Sequence, residues 1–217
     1  MIRYPLRNNY WQRRGYLTGT CMYHKESKHC YTSIPKNASS FLREYFTKFN
    51  WQHAHIDSIS DIKANLIILR DPIDRWITGM AQHITTNILG ENFGSTHYLE
   101  LDNELTHRII FDQIAFDDHT EQQSWFVEPF NLDHAVFFYL DSNLASNLDN
   151  YFSHLNLNYN LNSKSFVNES KNNFDNNNLV EHFRKLVYNN EKYHTQLKSY
   201  FAKDYDLISS VKFYDPR

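Results

Sequence analysis

The chain has 217 residues, 41% hydrophobic and 22% charged, a length that can bury one sizeable core and sets the expectation of a single domain over 1–217. A formal net charge of −3, with Lys and Arg scattered rather than blocked, excludes a broad electrostatic footprint for DNA or RNA. Nucleic acid is therefore not an expected partner, and any anion is bound locally. Two cysteines, Cys21 and Cys30, exclude a disulfide framework and lack the CxxC spacing of a zinc site, so both read as free thiols.

Sixteen Phe, 15 Tyr and 4 Trp assign stability to aromatic packing. The N-terminal stretch MIRYPLRNNYWQRRG is basic and aromatic but has no apolar h-region. No later window offers the roughly 18 apolar residues of a membrane span, so the expectation is a soluble, cytoplasmic protein with no stable membrane insertion. No period of 20 to 50 residues repeats, which argues against a solenoid or propeller.

In chain order, residues 1–28 show no clear period and read as an irregular lead-in. A β-favouring run, Cys30, Tyr31, Thr32 and Ile34, then meets Pro35, Lys36, Asn37, Ala38, Ser39 and Ser40, and an apolar pattern at helical spacing follows through Phe41, Leu42, Tyr45 and Phe46. That is strand, tight loop, helix. The loop gathers first-turn N–H groups, two hydroxyls and an ammonium in one small volume, which is what binding a phosphate or sulfate requires. The stretch FNWQHAHIDSIS alternates through Trp51, Ala54 and Ile56, so His53 and His55 share one face of a short strand.

Asn65 to Leu69 (NLIIL) reads as a continuous β-branched and Leu run, the mark of a strand buried on both faces of a parallel sheet. It ends in Arg70-Asp71-Pro72, a second anion-capable turn that opens a helix with Ile73, Trp76, Ile77, Met80 and Ile84 in register. Residues 87–100 have no period and read as a surface loop facing substrate. A helix is expected over Leu101 to Phe111, a further segment over Glu121 to Val127, and a buried strand over Ala135 to Leu140. Asp141-Ser142 then caps a helix. Residues 156–178, rich in Asn and Ser, read as a polar connection, and helices return over 179–203. Trp51, Trp76 and Trp125 are expected in the core.

A nucleoside-triphosphate loop wraps its phosphates with glycines in the pattern GxxxxGK[ST], and IPKNASSFL has none. Thr78 lies eight residues beyond Arg70, about 12 Å along a helix, so the two converge only on a ligand lying along its side. Two separate anion sites imply a ligand with two separated phosphates.

These residues carry a resemblance. IPKNASSFL resembles the 5′-phosphosulfate loop of sulfotransferases that use 3′-phosphoadenosine 5′-phosphosulfate (PAPS), and LRDPIDRWITG resembles their 3′-phosphate motif, in the same order. DDHTEQQSWF resembles the D-x-H-x-x-x-Q-S pattern of membrane-associated carbohydrate sulfotransferases, and AVFFYLDSNL resembles the strand and turn that follow it. The similar segments span roughly Cys30 to Leu144. The resemblance, closest to the uronyl 2-O and chondroitin-type enzymes, implies an α/β, P-loop-like three-layer fold with a mainly parallel central sheet.

It also implies sulfuryl transfer from PAPS to an acceptor hydroxyl, leaving 3′,5′-adenosine bisphosphate, with no metal required. By the same resemblance Pro35, Lys36, Asn37, Ala38, Ser39, Ser40 and Phe41 cradle the phosphosulfate, with Lys36 on the oxygen that leaves, and Arg70 and Thr78 hold the 3′-phosphate. A preplaced ammonium with helix N–H donors stabilises charge that grows in the transition state, and the acceptor hydroxyl needs a base. The His-x-His pair supplies His55 first and His53 second, although it sits closer to Arg70 than in the uronyl enzymes, and Glu44 is a further candidate. His119 and Gln123 fall near the acceptor, a glycan or another small molecule, or near the cofactor.

Bland readings stand beside these. A lone lysine after proline is ordinarily a solvated turn residue, Ser39 or Ser40 a plain N-cap, Arg70 and Asp71 a surface pair worth under about 1 kcal/mol, and any one of 12 histidines a surface or core residue. Two other functions remain open: a P-loop kinase-like transferase using a nucleoside triphosphate, and a non-catalytic nucleotide-binding relative.

Overall fold

The computed structural model describes residues 18–84, 103–112, 114–157, 159–161 and 174–216. In chain order its elements are β1 (Thr20–His24), β2 (His29–Thr32), α1 (Ser39–Thr47), β3 (Gln52–His55), β4 (Ala64–Leu69), α2 (Pro72–His83), α3 (Asn103–Asp112), α4 (Gln123–Val127), β5 (Ala135–Tyr139), α5 (Leu144–His154), α6 (Phe174–Tyr188), α7 (Glu191–Tyr200) and α8 (Ala202–Ser210). Alternation of strands and helices makes the fold α/β. Among the described residues no helix is long and apolar enough to cross a membrane.

The described chain divides into two compact units. The sheet unit takes residues 18–70, 123–157, 159–161 and 206–216, and the helical unit takes 71–84, 103–112, 114–122 and 174–205.

In the sheet unit five strands run in the order β3-β1-β2-β4-β5. All six residues of β4 are buried, as the apolar run Leu66–Leu69 requires of a strand covered on both faces, and the buried Asn65 is satisfied by Thr32, its Nδ2 donating to Thr32 Oγ1 at 2.9 Å. It pairs in parallel with β2 and with β5. The sheet is nevertheless mixed rather than mainly parallel, because β1 runs antiparallel to both β2 and β3. This strand lies inside the stretch 1–28 that shows no period. Its successive residues Cys21 and Met22 are both buried, one on each face, so it carries no alternation to read. The β1–β2 turn closes with Lys28 N donating to His24 O at 2.8 Å, Lys28 having φ 60°.

One sheet face buries Met22, Tyr31, Leu66, Ile68 and Phe138 against Leu42 and Phe46 of α1 and Leu148 and Phe152 of α5. Trp51 completes this core, stacked on Phe46 with ring centroids 4.7 Å apart and donating from Nε1 to the Tyr159 hydroxyl at 2.9 Å. The other face buries Ile67, Leu69 and Phe137 against Phe126 and Val127 of α4, with Trp125, Leu207 and Ile208 packed alongside. Helices therefore flank both faces. Cys21 and Cys30 are free, buried thiols.

Other boundaries moved for local reasons. Asn143, not Asp141 or Ser142, is the N-cap of α5, and Asp141 Oδ1 instead accepts from Asn143 N at 2.8 Å. Helix α6 begins at Phe174, within the expected polar connection, and α8 runs on to Ser210, past the expected end near 203. Near the C-terminus Phe213 bridges Phe137 in parallel, and Tyr214 N donates to Phe137 O at 2.7 Å. The expected loop 87–100 lies outside the described residues, as does most of 156–178.

In the helical unit the core joins Trp76, Ile77 and Met80 of α2, Ile109 and Ile110 of α3, Leu179, Phe183 and Val187 of α6, and Leu197 of α7. Pro72 occupies the first turn of α2, where its missing N–H costs nothing, and Asp71 caps that turn by accepting from Asp74 N at 2.8 Å. Trp76 is fully buried and donates from Nε1 to Ile114 O at 2.9 Å.

Candidate anion site

The sheet unit builds the site where β2 ends. Ile34 is buried, Pro35 follows, and Asn37 N donates back to Ile34 O at 3.1 Å. Lys36 has φ 69°. Proline in the second position with a positive φ in the third is the form of a type II turn. Ala38 is also left-handed, φ 60° and ψ 17°, and is the N-cap of α1 with no side-chain cap hydrogen bond. Each such non-glycine residue costs about 1–2 kcal/mol, and it persists only where its surroundings hold it. The two left-handed residues bring the chain from the turn to the start of α1, at the positive end of its dipole. Ser39 is buried, Ser40 exposed and Lys36 half-buried.

A buried amide network holds the loop. Asn37 is fully buried, and its Nδ2 donates to Ile68 O at 2.7 Å and to Gln123 Oε1 at 2.6 Å. Gln123, also fully buried, accepts from Arg70 N at 3.1 Å and donates from Nε2 to Arg70 O at 2.9 Å. Arg70 in turn donates from Nη1 to Lys36 O at 3.0 Å. The fold thus gathers the loop 35–41, Arg70 and Gln123 at one place. Gln123, read from sequence as a contact to acceptor or cofactor, has its amide bonded to Asn37 of the loop and to the backbone of Arg70.

Strand β3 runs antiparallel to β1, and β1 antiparallel to β2. The C-terminal ends of β3, β2 and β4 therefore lie at one edge of the sheet. His55 closes β3 at that edge, two strands from β2, or roughly 10 Å. His53 and His55 are both exposed. His55 Nε2 lies 2.9 Å from Thr18 O, and its Nδ1 accepts from Asp57 N at 3.4 Å. Asp57 Oδ2 also lies 3.4 Å from Nδ1. The ring lies over Gly19, φ 77°, where a Cβ would stand 2.9 Å from Nε2 and from Cε1. Glu44 is exposed and pairs with Lys48 at 3.3 Å.

Thr78 and His119 belong to the helical unit. The Thr78 hydroxyl lies 2.8 Å from Arg75 O and 3.2 Å from Asp74 O. His119 Nδ1 lies 3.2 Å from Asp117 Oδ2 and 3.1 Å from Asp118 Oδ1, and His83 Nδ1 lies 3.2 Å from the same Asp117 oxygen. Burial by itself pushes the His119 imidazole down, but the hydrogen bonds and charges of Asp117 and Asp118 outweigh it and raise it to about 9. Burial likewise opposes ionisation of Asp117, and the two histidines override it, holding the carboxyl well below the usual carboxylate range. Asp117, Asp118 and His119 offer ligand atoms within 4.8 Å of one another. A proton held this firmly on His119 competes with any cation there. The turn is braced by Arg75, fully buried, which donates to Asp118 O at 2.8 Å and to Glu121 O.

Sequence reasoning found the members of this cluster only in part, since nothing in the pattern links His83 to a turn some 34 residues later. Compared with known families and proteins, the chain matches no family model, no curated protein and no solved structure.

Proposed function

We propose that the chain is a PAPS-dependent sulfotransferase with a P-loop-like three-layer fold, acting on a hydroxyl of a glycan or another small molecule. One observation carries the reading. A glycine-free loop places the Lys36 turn, the uncapped start of α1 and Arg70 in one hydrogen-bonded assembly, beside the parallel strands β2 and β4.

In the proposed reaction the acceptor oxygen bonds to sulfur as the bond from sulfur to the bridging oxygen of the 5′-phosphate breaks. The bisphosphate departs with that electron pair, and the acceptor proton passes to a base. Lys36 and the N–H groups of Ser39 and Ser40 meet the charge that grows on the leaving phosphate. Arg70 offers the planar fork suited to a terminal phosphate. His55 is the proposed base, then His53 or Glu44, and the reaction requires no metal.

Thermal-shift titration with 3′,5′-adenosine bisphosphate against ATP with Mg²⁺, followed by transfer of labelled sulfate from PAPS to a panel of glycans and phenols, tests the reading. Bisphosphate stabilisation with transfer is the expected result. Stabilisation by ATP with Mg²⁺ alone replaces the reading with a kinase-like transferase, and bisphosphate binding without transfer replaces it with a non-catalytic relative.

A further inference from the structure

Successive residues of a strand direct their backbone polar groups to alternate sides. Leu69 O faces β5, where Leu140 N donates to it at 2.8 Å. Ile68 O and both polar groups of Arg70 therefore face the β2 side. There the β2–β4 pairing ends at Thr32 opposite Ile67, because the chain turns away at Pro35. Backbone groups left buried without partners are costly, and here two side-chain amides supply them. Asn37 takes Ile68 O, and Gln123 takes both the N–H and the carbonyl of Arg70. The two amides are joined to each other at 2.6 Å.

We propose that Gln123 is a positioning residue of the anion site: with Asn37 it rebuilds in side chains the piece of sheet that β2 abandons, and so sets the Lys36 turn against Arg70. The assignment rests on the sulfotransferase reading for its ligand, but its geometry stands on the hydrogen bonds alone. Gln123 touches the loop and the strand end, and acts on the ligand only through Lys36 and Arg70. Donation from Arg70 Nη1 to Lys36 O depends on the loop staying where Asn37 and Gln123 hold it. Asn37 Oδ1 is buried without a hydrogen-bond partner among the described residues, so the amide is oriented by its two donor bonds. Two fully buried neutral amides bonded to each other and to the backbone specify one loop position.

The test uses Gln123→Met, which keeps the length and removes every hydrogen bond, and Gln123→Asn, which keeps the amide but withdraws it by one methylene. Two readouts are taken: affinity for 3′,5′-adenosine bisphosphate by calorimetry, and hydrogen exchange of the Asn37 and Leu42 amides. Each variant is expected to weaken the bisphosphate about tenfold or more. Adding Arg70→Ala to Gln123→Met is expected to cost little further, because the guanidinium is already displaced. Exchange at Asn37 is expected to quicken while Met22 in β1 stays protected. Full additivity of Gln123→Met with Arg70→Ala, or unchanged protection at Asn37, overturns the proposal. If the unaltered protein ignores the bisphosphate, the sulfotransferase reading falls and the exchange readout alone decides whether Gln123 positions the loop.

Discussion

Arg70 donates from Nη1 to the carbonyl oxygen of Lys36 across 3.0 Å, so the guanidinium at the end of β4 is tethered to the turn that carries the ammonium. A lysine at position 70 keeps the charge but loses the fork that would serve the Lys36 carbonyl and the proposed phosphate together. Arg70→Lys is expected to weaken 3′,5′-adenosine bisphosphate about tenfold or more by calorimetry, and an unchanged affinity removes Arg70 from the site.

In the proposed reaction Lys36 should matter more to the transition state than to the bound nucleotide, because the leaving oxygen assigned to it gains charge only as the sulfuryl group departs. For Lys36→Ala we expect turnover of labelled PAPS to drop about a hundredfold or more, with a smaller change in bisphosphate affinity. Equal losses in both would reduce Lys36 to a binding contact.

For the base, His55→Ala is expected to abolish transfer and leave bisphosphate affinity intact, since His55 closes β3 two strands from β2. Parallel assays of His53→Ala and Glu44→Gln complete the comparison. Transfer that survives in His55→Ala but disappears in one of the others moves the base there.

Gly79 of α2 passes against the turn that carries His119. A Cβ at this position would stand 2.8 Å from the carbonyl carbon of His119 and 3.2 Å from Thr120 Cγ2, and closer still to the carbonyl oxygen. Helix propensity favours alanine over glycine by about 1 kcal/mol, yet the backbone in the way must shift. Gly79→Ala is expected to lower stability by about 1–3 kcal/mol net in urea unfolding. A more stable variant would show that the turn yields freely.

The Asp117–His119 pair predicts a stability window. His119, raised to about 9 in the folded chain, contributes fully below its unfolded value of about 6.5, and the contribution disappears as pH rises through about 9. Asp117 is lowered, so its share is present above about pH 3.9 and is lost as pH falls through its depressed value. The melting temperature of the unaltered protein should exceed that of His119→Gln most near pH 5–6.5 and least near pH 10. A difference independent of pH removes the ion pair as the cause.

Sequence by itself determined the elements that rest on local pattern. The buried run of β4, the proline at the start of α2 and the strand, loop and helix around Lys36 were legible, because burial on both faces, a proline's fixed φ and helical spacing leave their mark within a few residues. Trp51 and Trp76 were legible as core for a similar reason, their size. Strand β1 was not legible, since Cys21 and Met22 are buried on opposite faces and cancel the alternation that marks a half-buried strand. The left-handed backbone at Lys36 and Ala38 was also hidden, because neither residue is a glycine.

Only the tertiary structure decided the partners of Gln123, 53 residues from Arg70 and 86 from Asn37, and those of His83. Their hydrogen bonds form when distant segments meet, and no spacing along the chain encodes such a meeting. Sequence thus offered an ammonium and two hydroxyls for one anion and a guanidinium for a second. The fold supplied the buried amides, because β2 turns away early and Ile68 O and the backbone groups of Arg70 bond instead to the Asn37 and Gln123 side chains.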